Sequence, residues 1–367
     1  MGFGGCMARK VCFAYQWATY GGVERVFLNR AHAFAAHGRD VEIEVYYGSD
    51  GGGLAAFQRT IVDLGLDDRL RVTPRFDPAR YDVVFAIDSP ALLPARLTDI
   101  TKWVMECHTP YAAARSYLAQ LPDEIAQVTV PSMTFEKLVR EEHPELGLRI
   151  RLLRNCVSPH QGKAAPRLPG WKQQPLLYFG RLDDLKNPQG FIELFLELDR
   201  RTPGRYFGLV VGPEVPGYDM AHRIEKAGLR GKVLQLPPLP FLQTSAFLGA
   251  LHELQAVMVS PSFGESFGLA AAESIAAGVP VLLSALPEHS ELVGGDDRHL
   301  YVPAQVGLGA DKLEAIVDDY LSASDRMTSC AKAFSDGAFL SDWDSLMHDL
   351  GLAGADPVWA VSEEMGL

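Results

Sequence analysis

Two glutamates, Glu265 and Glu273, stand eight residues apart in the stretch SPSFGESFGLAAAESIAAGVPVLLS, residues 260–284. Glu265 falls in a loop marked by Gly264 and Gly268, and Glu273 in a run of good helix formers, residues 269–277. At about 1.5 Å per helical residue the two carboxylates would stand roughly 12 Å apart, too far to share one proton or one metal ion with ease. Between them lies the start of the helix, at Ser266, Phe267, Gly268 and Leu269. Its first N–H groups and its dipole favour an anion. Acid, anion site, acid is an order that suits an elongated ligand: sugar hydroxyls, a diphosphate, then the hydroxyls of a ribose. A surface loop glutamate and a solvated helix glutamate would show the same spacing, so both readings stand at this point.

Three further places carry residues that could do chemistry. Arg181 and Lys186 lie in GRLDDLKNP, residues 180–188, between an apolar run at 176–179 and a helical pattern at 189–198. Two cations leaving a strand and preceding a helix could hold a diphosphate; they could equally be a solvated pair balanced by Asp183 and Asp184. His108 follows the apolar segment 102–107. That is the carboxyl end of a predicted strand, where ligands bind in open α/β sheets, although a lone histidine is also a common structural residue. Gly21 and Gly22 separate a strand at 11–15 from a helix at 23–37. They would let the backbone approach a phosphate or simply make a tight turn. A dinucleotide fingerprint GxGxxG is absent there. Asp342-Trp343-Asp344 forms a DxD string, but it falls inside a predicted helix and reads as coincidence.

The elements that must position these residues form two similar series. In the first half, apolar runs at 11–15, 41–47, 81–86, 102–107 and 128–130 read as strands. In the second half, 176–179, 207–212, 233–236, 256–259 and 279–283 do the same. Helical patterns intervene, as a parallel α/β sheet requires. The expected architecture is α/β, with two Rossmann-like domains facing a central cleft. The expected boundaries are 1–160, 161–335, a terminal helix at 336–352 that carries Phe339, Trp343 and Leu346, and a tail at 353–367. Residues 158–174, rich in Pro, Gly and polar side chains, read as the interdomain linker. Gly51-Gly52-Gly53 reads as a flexible loop, and 311–322 as one amphipathic segment.

Bulk properties narrow the function. The chain has 367 residues, enough for two ordinary domains, and a net charge of −12. Up to position 160 there are 18 basic and 19 acidic residues, and beyond it 16 and 27. No basic face for nucleic acid or polybasic membrane patch emerges from that balance. No apolar run approaches the ~20 residues of a membrane span, and the start runs directly into a strand, without room for a signal peptide. The five cysteines, Cys6, Cys12, Cys107, Cys156 and Cys330, form no CxxC and no zinc pattern. Reduced thiols in a cytoplasm are the expectation.

The stretch at 260–284 resembles the signature of the retaining glycosyltransferases of family four, which have the GT-B fold (glycosyl transferases group 1). The matching residues are Pro261-Ser262, Glu265, Phe267-Gly268-Leu269, Glu273 and Gly278-Val279-Pro280-Val281. Gly180-Arg181-Leu182 with Lys186-Asn187 resembles the family's diphosphate motif, and Gly21-Gly22-Val23-Glu24 and His108 fall where relatives place similar residues. Two departures stand out. Cys156 replaces a usual glycine, and Pro237-Pro238 stands where relatives have another, in a loop that contacts the base.

The resemblance implies hexosyl transfer, with retention, from a nucleotide-sugar donor to a hydroxyl acceptor, which could be a small molecule, a glycan or a lipid-linked sugar. It implies no metal and no cofactor beyond the donor, expected to be a UDP- or GDP-sugar. His108, Arg181, Lys186 and Glu265 would serve at the reacting centre. Gly21, Gly22, residues 265–269 and Glu273 would hold the donor, with Glu265 on the sugar and Glu273 on the ribose. A sugar-nucleotide epimerase or hydrolase of the same fold, and a non-catalytic nucleotide-sugar-binding partner protein, are the alternatives; homodimerisation stays open.

Overall fold

The computed structural model describes residues 8–97, 100–157 and 170–352. Residues 158–169, most of the expected linker, and the expected tail lie outside them.

The first sheet is built from β1 (Arg9–Ala18), β2 (Val41–Asp50), β3 (Leu70–Thr73), β4 (Val83–Ile87), β5 (Lys102–Glu106), β6 (Gln127–Val130) and β7 (Ile150–Leu152). Its order is β3-β2-β1-β4-β5-β6-β7 and its pairings are parallel. Parallel strands need crossovers, supplied in part by α1 (Gly22–Ala36), α2 (Leu54–Asp63) and α3 (Met133–Glu142). Val11, Phe13, Val83 and Phe85 are fully buried, as expected of strands covered on both faces.

The second sheet contains β8 (Gln174–Phe179), β9 (Tyr206–Val211), β10 (Val233–Leu236), β11 (Val257–Ser260), β12 (Val281–Ser284) and β13 (Leu300–Tyr301), in the order β10-β9-β8-β11-β12-β13. These pairings too are parallel. Around it lie α4 (Pro188–Arg201), α5 (Met220–Lys226), α6 (Phe241–Glu253), α7 (Leu269–Ala276), α8 (Pro287–Leu292), α9 (Val306–Asp318) and α10 (Tyr320–Cys330).

The last helix, α11 (Asp336–Asp349), returns to the first domain. Trp343 stacks on Phe85, with ring centroids 5.7 Å apart, and meets Phe34 edge-on at 4.9 Å. Both acids of the DxD string are salt-bridge partners on this surface: Asp342 holds Arg154 and Asp344 holds Arg39. Other bonds also join the two domains. Glu291 accepts from the N–H groups of Met133 and Thr134 at the start of α3, at 3.0 and 2.8 Å, and Ser132 Oγ donates to the Ser266 carbonyl at 2.9 Å.

Two expectations change. Gly51-Gly52-Gly53 is a built corner: Gly51 N–H and Gly53 N–H both donate to the Ala18 carbonyl. A Cβ on Gly53 would come within 2.4 Å of backbone atoms of Thr19 and Tyr20, so glycine is there for close approach and not for mobility. It also leads into α2, which the sequence pattern did not reveal. The segment 311–322 is two helices, because Asp319 leaves helical geometry at φ −118°, ψ 44°.

Candidate functional site

In the second sheet β8 and β11 are neighbours from which the chain winds in opposite directions, a switch point whose carboxyl ends open a crevice. The loop after β8 carries Arg181 and Lys186, and the loop after β11 carries Glu265. Backbone geometry ties the loops together. Asn187, at φ 50°, caps α4 by accepting from Gly190 N–H at 3.1 Å and donates its side-chain amide to the Pro261 carbonyl at 3.0 Å. Phe263 N–H donates to the Leu185 carbonyl at 2.8 Å.

The consequence is a short ion pair: Lys186 Nζ lies 2.6 Å from Glu265 Oε2, and Ser262 Oγ donates to Oε1 at 2.9 Å. Burial works to raise the Glu265 pKa, but the Lys186 charge, with hydrogen bonds from Lys186 and Ser262, holds it below the ordinary carboxylate value. Arg181 turns its Nε to Asp183 and keeps nearly half of its side chain exposed. Asp183 also accepts from Lys186 N–H at 2.8 Å, so this acid shapes the loop. Among the described residues no group of three His, Cys, Asp or Glu could hold a metal ion.

Helix α7 begins beside this pair. Gly268 precedes it in the left-handed region, at φ 91°, ψ 52°, and no side chain caps the helix. A Cβ on Gly268 would stand 3.1 Å from Leu292 Cδ1 and 3.2 Å from His289 Cδ2. Phe267 is buried edge-on against Phe334, which makes its side chain a packing group, while Leu269 is half-buried. Ser266 contributes its carbonyl to the bond from Ser132.

Glu273 is buried in the body of α7, and its carboxylate meets the first domain: Arg25 Nη1 lies 2.8 Å from its Oε1. Burial raises the Glu273 pKa, and Arg25 reverses this only in part.

On the first domain the switch point lies between β1 and β4. Gly21 and Gly22 open α1 there, beside Arg25. Glu24 folds back to accept from Thr19 and Gly21 N–H groups at 3.2 and 2.6 Å, so this acid closes the loop. A Cβ on Gly22 would meet nothing within 4 Å; the chain's own packing does not demand glycine at that position.

His108 follows β5, with Nε2 2.6 Å from Glu106 Oε1. Glu106 is buried and held by Arg30 through two bonds, at 2.9 and 2.6 Å. Burial would raise the Glu106 pKa, but Arg30 and His108 bring it down to about 2. An ionised acid thus sets the His108 ring. Two residues beyond it, the Pro110 side chain lies 4.0 Å from where a Cβ on Gly264 would stand, so this loop faces the one bearing Glu265.

The structure therefore brings Lys186 and Glu265 into contact and sets Arg181 on the same turn. The α7 terminus and Glu273 follow on the adjoining helix, with His108, Gly21 and Gly22 on the opposing sheet's carboxyl edge.

Sequence reasoning missed Arg25 and His289. Arg25 had a signal: a cation in the first turn of a helix opposes the dipole, so its partner had to come from elsewhere. His289 had none. It is fully buried on α8, its Nδ1 lies 3.0 Å from Ser284 Oγ, and its Nε2 lies 4.0 Å from Glu265 Oε1 without a hydrogen-bond partner among the described residues. Burial pushes its pKa down, and Glu265 only partly restores it.

The family model described as glycosyl transferases group 1 matches residues 168–334. The match lies wholly within the part of the chain that follows the first sheet. It carries both loops of the ion pair and the whole of α7.

The chain is 30% identical over 154 residues to a D-inositol 3-phosphate glycosyltransferase of Paenarthrobacter aurescens, covering 41% of this chain and 37% of that protein. It is 29% identical over 189 residues to the Corynebacterium glutamicum protein of the same name, covering 47% and 42%. The matches thus span about two fifths of these relatives' length.

In fold the resemblance spans more than nine tenths of the chain. Anabaena Alr3699/HepE, solved with UDP and glucose, superposes with a TM-score of 0.73 over 93% of this chain and 99% of that one, at 16% identity. TarM superposes at 0.72 over 92% and 98%, at 11% identity. The architecture is GT-B, two parallel-sheet α/β domains, and the family model matches the second of them. Among the described residues no helix is long and apolar enough to cross a membrane.

Proposed function

We propose that this chain is a retaining hexosyltransferase that moves a sugar from a nucleoside diphosphate to a hydroxyl acceptor. The observation that carries the reading is the contact between Lys186 and Glu265. In a nucleotide sugar the terminal phosphate is bonded directly to the anomeric carbon. A cation for that phosphate and an acid for the sugar hydroxyls must therefore be neighbours, as these two are. The α7 terminus then meets the rest of the diphosphate, and Glu273, further along, takes the ribose. The open space over Gly22 leaves room for the donor against the α1 terminus.

In this mechanism the bond between the anomeric carbon and the phosphate oxygen breaks, and the acceptor oxygen bonds to the same face of the sugar. The acceptor's proton passes to the departing phosphate. Charge grows on that phosphate as the bond breaks, and Arg181, Lys186 and the helix N–H groups stabilise it where it develops. No carboxylate forms a covalent bond. His108, held by Glu106, hydrogen-bonds a sugar hydroxyl. The division of labour belongs to the same reading: residues 1–160 receive the acceptor, 161–335 bind the donor, and 336–352 tie the two together. A cytoplasmic setting accords with Cys12, Cys107, Cys156 and Cys330 being free thiols.

Support comes from the group 1 family match, from relatives named as glycosyltransferases and from Alr3699/HepE, solved with UDP and glucose. The test is incubation with UDP- and GDP-sugars and a panel of hydroxyl acceptors, read by NMR. Donor consumption with a new glycoside of the donor's own anomeric configuration is expected. An inverted product would overturn retention. An epimerised donor, or hydrolysis alone with every acceptor, would overturn transfer.

A further inference from the structure

Arg25 belongs to the first domain, yet its guanidinium contacts described here are with the second. Nη1 donates to Glu273 Oε1 at 2.8 Å and to Thr244 Oγ1 at 3.3 Å, and the guanidinium carbon lies over the rings of Phe241 and Phe179, 5.5 and 5.8 Å from their centroids. The side chain is 19% exposed and that of Glu273 is 9% exposed, so the pair is shielded from solvent. Glu273 Oε2 makes no hydrogen bond among the described residues. Parting the two domains would strip Glu273 of its cation.

We infer that Arg25 is a positioning residue for the nucleotide end of the donor, gripping one oxygen of Glu273 from the opposing domain so that the other is presented to the ribose. The inference rests on the reading of Glu273 as the ribose acid. It makes nucleotide affinity depend on a residue outside the nucleotide-binding domain, and it makes domain closure part of building the site.

A ribose diol donates two hydrogen bonds, and an ionised carboxylate accepts both, whereas a protonated one has an oxygen occupied by its proton. Burial drives Glu273 toward the protonated form, and Arg25 is the charged group acting against it. Around the Arg25 guanidinium, α6 presents Thr244 and Phe241 and β8 presents Phe179, none of them charged; among the described residues Arg25 is the only charged group acting on Glu273.

The experiment is calorimetric titration of the full chain with UDP and GDP from about pH 5 to about pH 8, using R25Q, R25K, E273Q and R25Q/E273Q. In the wild type, affinity for the better nucleotide should follow pH only as the nucleotide's terminal phosphate, with a second pKa of about 6, gains charge. R25Q should bind about tenfold more weakly near neutrality, as for the loss of one hydrogen bond to a charged group. Its deficit relative to the wild type should widen as pH falls, because Glu273 then takes up a proton. R25K should keep the wild-type profile. E273Q should be weak with the wild-type pH dependence, and adding R25Q to it should cost little more. Wild-type affinity in R25Q at every pH, or full additivity in the double variant, would overturn the inference. If E273Q binds nucleotide as the wild type does, the ribose reading itself fails, and the inference fails with it. Unchanged thermal melting of R25K, with R25Q still folded by circular dichroism, separates these results from misfolding.

Discussion

Lys186 Nζ and Glu265 Oε2, on loops from two adjacent strands, lie 2.6 Å apart. Each restrains the other: the cation keeps the largely covered acid ionised, and the acid holds the cation at one place in the crevice.

Lys186→Ala removes the largest influence opposing burial of Glu265, so the Glu265 pKa should rise. Transfer should fall about 100-fold or more, as for the loss of one group that stabilises developing charge. The sign of the pH effect follows. The wild type should keep its rate as pH drops below neutrality, whereas the variant should lose rate earlier as Glu265 takes up a proton. Rate profiles of both enzymes check this, and superposable profiles would contradict it.

Arg181 makes its bond to Asp183 and is nearly half exposed, so it is available to a phosphate without breaking a buried pair. Arg181→Ala should lower kcat more than it weakens donor binding, because charge on the leaving phosphate peaks at bond breaking. Calorimetry and turnover give the comparison; equal losses would mean uniform binding.

Gly268 is at φ 91°, with Leu292 and His289 against the place a side chain would take. Gly268→Ala should destabilise the fold by about 1–2 kcal/mol from the left-handed backbone alone, more if His289 must move. A melting temperature lower by roughly 2–4 °C per kcal/mol is expected. A glycine-like melt in the variant would show that the turn relaxes freely.

His289 is held neutral by burial, its pKa below the ordinary 6.5. A group depressed in this way contributes stability above its unfolded value and loses that contribution as pH falls through the folded one. Urea unfolding should therefore show stability declining below about pH 6.5. His289→Asn should decline less over that range, even if it starts lower; an identical slope would assign the decline to other groups.

Most strands were legible because parallel strands buried on both faces are short apolar runs, as at 83–86 and 257–259. The loop-to-helix run at 265–273 was legible because glycine, acid and helix formers follow one another locally. α2 was hidden behind Gly51-Gly52-Gly53, since close packing of Gly53 on Thr19 and Tyr20 is a contact between distant segments. The break at Asp319 escaped for a related reason: amphipathic spacing runs on through it, and only packing of α9 and α10 shows the turn.

The sequence by itself determined the two α/β series, the local spacing of the two glutamates and the placement of cations before a helix. Such features depend on neighbours within a few residues. The tertiary structure alone decided that Lys186 pairs with Glu265, that Arg30 and Glu106 set His108, and that Arg25 reaches across to Glu273. The charged pairs Arg30–Glu106, Lys186–Glu265 and Arg25–Glu273 are separated by 76, 79 and 248 positions along the chain. Short-range pattern cannot say which of many charged residues will meet once two separately wound sheets turn their carboxyl edges toward each other.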